Sequence, residues 1–129
     1  MIPRTRLAID VGGTFGITKV GMFAPPLTNA ELTGTGDGRL YAFHRPTDTT
    51  SAIAEIDKST AKVIASDPLP GVEQGSAWAF AFWGGYFWLF TQPDKQRVTR
   101  YDPATKQITL VGGYTSPIVG AGVSTCAPQ

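Results

Sequence analysis

The sequence predicts an all-β, propeller-like fold of about two and a half to three four-stranded antiparallel blades, and three observations carry that reading. A unit of about 46 residues recurs along the chain. Glycine (15) and proline (10) make up about a fifth of the 129 residues, a composition suited to short strands joined by tight turns rather than to helices. No segment carries a 3.6-residue apolar period over helical length.

The repeat is legible in three segments: "LAIDVGGTFGITKVGMF" from Leu7, "AIAEIDKSTAKVIASDPL" from Ala52 and "RVTRYDPATKQITLVGGY" from Arg97. Each is a short alternating strand, an Asp, a turn containing Thr, and a returning strand. The aspartates are Asp10, Asp57 and Asp102, spaced 47 and 45 residues apart. The intervening segments match as well. "ELTGTGDGRLYAF" (31–43) and "WAFAFWGGYFWLF" (78–90) are each strand, glycine turn, strand. Asp37-Gly38 and Gly84-Gly85 are strong hairpin pairs, because glycine reaches positive φ without a Cβ clash.

In order, the prediction is an outer hairpin over 7–23, a blade over 29–70, a second blade over 75–114 and a closing inner strand within 117–129, all in one domain, 1–129. "LTGTG", "AFAF" and "VGAGV" carry Gly or Ala at alternate positions, as strands crowded around a central channel require. "SAIAEIDKSTAKVIA" has helix-like propensity, but its alignment with two strand-like copies assigns it to β-structure. In the aromatic hairpin, alternation sends Trp78, Phe80 and Phe82 to one face and Ala77, Ala79 and Ala81 to the other, the pattern of a packed blade. Trp83, beside the turn, is the aromatic expected to be exposed.

Composition excludes several functions. At 42% hydrophobic and 16% charged residues the chain builds a real core and is not disordered. A net charge of +1 supplies no basic field for nucleic acid. The single cysteine, Cys126, permits no internal disulfide and reads as a structural or unpaired thiol. The single histidine, His44, rules out a multi-histidine metal site within one chain. No metal and no cofactor is expected. The two N-terminal arginines are not followed by an apolar run, so no signal peptide is expected. The apolar run 76–90 is shorter than the roughly 20 residues of a membrane helix and is divided by Gly84-Gly85, so no membrane partner is expected.

Two resemblances bear on function. "DVGGT" resembles the first phosphate loop of the sugar-kinase and actin-like ATPase superfamily, which implies Asp10, Gly12, Gly13 and Thr14 at nucleotide phosphates. Against it stands a plain hairpin turn, capped by Asp10 as Asp57 and Asp102 cap theirs. The hairpin is the preferred reading, because the chain lacks the alternating strands and helices of those kinases. The second resemblance runs from "AELTGTGDGRLYAF" to "IVGAGVSTCAP", about a hundred residues. It is similar to the C-terminal part of a family of uncharacterised bacterial propeller-like repeat proteins. That likeness implies an exported parent of roughly twice this length and no particular activity, so no catalytic residue carries over.

The expected function is a non-enzymatic ligand-binding or interaction module, with carbohydrate at the channel mouth as the ligand. Asn29, Glu31, Glu73 and Ser76 precede or open inner strands and would line a polar pocket there, with Trp83 as a stacking platform; otherwise they are solvated loop residues. The alternative is a weak hydrolase using Glu31 or Glu73, with His44 as a further base candidate against a surface role. "TGTGDG" offers Thr35 and Asp37 as oxygen donors but lacks the carboxylates of a calcium loop, so a turn is expected. Eleven expected strands fall short of a closed ring. The chain is therefore expected to form a homodimer, completing about six blades through residues 7–23 and 118–125.

Overall fold

The computed structural model describes residues 5–124, 126 and 128, and among them the fold is all-β. Ten strands form three antiparallel sheets. The first sheet is the hairpin β1 (Thr5–Ile9) and β2 (Ile17–Met22). The second is β3 (Glu31–Gly34), β4 (Leu40–Thr47), β5 (Thr50–Ile56) and β6 (Val63–Leu69), paired in that order. The third repeats this order with β7 (Trp78–Trp83), β8 (Tyr86–Thr91), β9 (Arg97–Asp102) and β10 (Gln107–Gly112). The first sheet begins at Thr5, two residues before the expected hairpin 7–23, and the strands of the second and third sheets lie within 29–70 and 75–114.

The closing inner strand expected within 117–129 is not formed: residues 118–124 belong to no strand. Thr125, Ala127 and Gln129 of that segment lie outside the described residues, as do residues 1–4. The reason is pairing. The first strand of each four-stranded sheet pairs only with the strand that follows it, β3 with β4 and β7 with β8, and no described strand forms a ladder with 118–124, although this segment borders β7 near Ala81 and Trp83. Small alternating residues permit an inner strand but do not supply its hydrogen bonds.

The Asp57 and Asp102 turns share one geometry. The Asp57 carboxylate accepts the Ser59 and Thr60 amides at 2.7 and 3.1 Å; Asp102 accepts those of Ala104 and Thr105 at 2.8 and 3.3 Å. Four residues after each Asp the chain passes through positive φ, 64° at Ala61 and 63° at Lys106. The Asp10 turn is one residue longer, with its positive φ (55°) at Phe15. "GDG" and "WGGY" close the β3–β4 and β7–β8 hairpins, with φ of 83° at both Gly38 and Gly85.

The main core lies between the second and third sheets. Tyr41, Phe43, Ile53 and Leu69 of one meet Phe80, Phe82, Phe87, Leu89 and Tyr101 of the other. Their rings interlock edge-on, with Tyr41 to Phe87 at 4.8 Å and Phe82 to Phe87 at 4.9 Å between centroids. The alternation in β7 holds, since Phe80 and Phe82 are in this core and Trp78 packs against it. A smaller cluster covers the other face of the second sheet, where Phe23 and Leu27 lie on Ala42, Ala54 and Ile56. No helix among the described residues is long and apolar enough to cross a membrane.

Candidate functional site

β3 and β7, edge strands of the two four-stranded sheets, lie next to each other. Glu31 opens β3 opposite Phe43, and its Oε2 accepts the backbone N–H of Phe80 on β7 at 3.0 Å. Burial pushes its carboxyl above the ordinary carboxylate range, opposed by hydrogen bonds from the N–H groups of Phe80 and Ala121. Beside it lies a depression of about 350 Å³ lined by Ala30, Glu31, Ser76, Ala77, Trp78 and Val119. Ser76 is fixed there by its own N–H donating to the Gln92 carbonyl at 3.0 Å. A carboxylate, a hydroxyl and a Trp ring around one opening can accept and donate hydrogen bonds to hydroxyls while contacting a flat apolar surface.

The sequence-predicted residues divide among different places. Glu31 and Ser76 share this depression. Asn29 stands just before it at φ 50°, and its carbonyl accepts the buried Gln74 Nε2 at 3.1 Å. Glu73 lines a separate depression of about 120 Å³ with Arg97 and Thr99. Glu31 and Glu73 therefore do not face one opening, and a two-carboxylate arrangement is not assembled. Trp83 is exposed, as expected (51%), and lines a third opening, an apolar groove of about 510 Å³ with Ala81, Trp88, Phe90 and the segment 118–123.

His44 corrects an expectation. It is buried rather than superficial, at 8% exposure, and neither ring nitrogen has a hydrogen-bond partner among the described residues. Burial lowers its pKa, favouring the neutral ring. Such a histidine reaches no substrate from outside.

At the first turn, Asp10 folds its carboxylate back into the loop. Its Oδ1 accepts the Gly12 N–H at 2.9 Å, and its Oδ2 lies 2.6 Å from where a Gly13 Cβ would stand. The carboxylate thus caps the loop's own Gly12 amide. In "TGTGDG", Asp37 is likewise engaged, accepting the Thr35 hydroxyl and the Arg39 Nε at 2.9 Å. Among the described residues no group of three His, Cys, Asp or Glu is placed to hold a metal ion. Cys126 is exposed and unpaired.

One polar site escaped the sequence reading. Asp67 on β6 accepts the Tyr101 hydroxyl at 2.9 Å and Lys106 Nζ at 2.7 Å, both across the gap between the sheets. Burial, then the hydrogen bond to Asp67, pushes the Tyr101 hydroxyl well up. The partners are 34 and 39 residues apart, so no local motif announces them. They belong to different sheets, Asp67 to the second and Tyr101 and Lys106 to the third and its β9–β10 turn, and only the packing of the two sheets brings them together.

No family model matches this chain, and no curated protein matches it either.

Proposed function

We propose that the chain is a propeller-like arc serving as a non-enzymatic binding module, with a neutral carbohydrate held at the inner end of its two four-stranded sheets. The observation that carries the proposal is the half-buried Glu31 carboxylate, facing the opening that Ser76 and Trp78 also line. A sugar suits this set. Its hydroxyls donate to a carboxylate in charge-assisted hydrogen bonds, and its C–H face packs on an indole ring. Support for the arc comes from the repeated strand order of the two larger sheets, their face-to-face core and the adjacency of β3 and β7.

The hydrolase alternative is weaker because Glu73 opens onto a different depression. The test is a glycan array followed by titration of any hit. Glu31→Gln should weaken binding about tenfold through loss of the charge-assisted bond. An array without a hit rejects the carbohydrate reading. A hit bound equally well by Glu31→Gln rejects the site.

A further inference from the structure

The repeat assigns a packed role to faces that lie open in the single chain. In the second sheet, Tyr41 and Phe43 on β4 point to the third sheet and are buried there. Displaced by 47 residues along the chain, the same strand positions in β8 are Trp88 and Phe90. Across the hairpins their partners are Thr33 opposite Tyr41 and, 48 residues on because the second turn is one residue shorter, Ala81 opposite Trp88. Yet Trp88 and Phe90 are only partly buried and line a groove of about 510 Å³ together with Ile118 and residues 120–123, with the Tyr114 ring meeting Phe90 at 6.2 Å.

The first sheet shows the converse. Counting from the aspartates, Ile9 corresponds to Ile56 and Tyr101, and Leu7 to Ala54 and Thr99. All four of those counterparts are buried, Tyr101 and Thr99 on the side of the third sheet that meets the second. Leu7, Ile9 and Ile17, which pairs with Ile9, are instead 56, 61 and 67% exposed. One open face thus continues the buried joint forward, and the other continues it backward.

We propose that a second copy of this chain docks the Leu7–Ile9–Ile17 face of its first sheet onto the Trp88–Phe90 face of the third sheet. Each copy does this to the other, so two equivalent joints form around a two-fold axis and the assembly closes. The joint reproduces, between chains, the internal packing of the third sheet on the second. Residues 118–124 keep the innermost position, and the partner's hairpin takes the outer part of the layer. The occupant is identified by this repetition: each face is a register copy of one that another part of the same chain already covers.

The test is the mass of the 129-residue chain by light scattering over a micromolar concentration range. A species of twice 13.7 kDa is expected. Ile9→Lys places a charge in the joint without touching the internal core and should weaken dimerisation about tenfold or more. Circular dichroism checks that the variant keeps its β signal. Should Ile9→Lys fail to fold, hydrogen exchange of the wild type at high and low concentration gives the same answer. Protection should rise with concentration at residues 7–9 and 17–19 and at 88–90 together. A monomer at every concentration overturns the proposal. So do a dimer indifferent to a folded Ile9→Lys, open-ended growth in mass, and unchanged protection at either face.

Discussion

The first and second sheets are made of related sequence, and they end in opposite conditions. The second is covered on both faces, by the third sheet on one side and by Phe23 and Leu27 on the other. The first has no buried residue in either strand. Its ties to the second sheet are local: Arg6 Nη1 donates to the Lys58 carbonyl at 2.5 Å, and Gly21 sits so close to the Thr60 carbonyl that a Cβ there would stand 2.5 Å away. Strand pattern alone therefore does not confer stability. A hairpin becomes part of a core only when a neighbouring sheet supplies a facing layer.

The comparison can be broken most strongly at the joint between the larger sheets. Phe80→Ala, at a fully buried position, should cost about 3–5 kcal/mol in denaturant unfolding. Gly75→Ala should come next, at roughly 2–3 kcal/mol. Gly75 holds φ 73°, and an added Cβ would stand 1.9 Å from the Gln92 carbonyl oxygen, so the loop entering β7 must move. Asp67→Asn weakens the bridge to Lys106 and Tyr101 and should cost about 1 kcal/mol, reduced by the exposure of Lys106.

A pH titration sharpens the contrast further. His44 has its folded pKa below the ordinary 6.5, so the unfolded chain binds its proton more readily. The native state should lose stability as pH falls through 6.5 toward the lowered folded value, and hold it above that window. His44→Gln should remove this part of the slope of melting temperature against pH; an unaltered slope would contradict the burial argument. The smallest effect belongs to the open regions. Trp83→Ala should change monomer stability by about 0.5 kcal/mol or less, since half of the side chain is already in water.

Much of this architecture was legible in the residues. The recurring Asp, the glycine pairs and the alternation of Trp78, Phe80 and Phe82 located three sheets and the side of β7 that enters the core. These are local signals, encoded within a few residues. The misread features depend on what lies opposite. Residues 118–124 have the small side chains of an inner strand but no pairing strand among the described residues. His44 reads as the polar end of "YAFHRP", yet it lies within β4, opposite Ala52 of β5, and is buried. Glu31 and Glu73 both precede or open inner strands, and only the third dimension separates their openings. Asp67, Tyr101 and Lys106 lie far apart in the chain and carry no motif at all.

Glu31 has a consequence beyond ligand contact. β7 is the last strand on its side of the third sheet, and such a border normally offers bare amides as a template for any passing extended chain. Here the Phe80 amide is occupied by the Glu31 carboxylate and the Gly84 amide by the Pro128 carbonyl, at 3.0 and 2.9 Å. A side chain from the neighbouring sheet thus stands where a foreign strand would bind, and the half-buried Glu31 carboxylate guards the approach. Fibrillar stacking, which grows by adding strands side by side, is discouraged at this border.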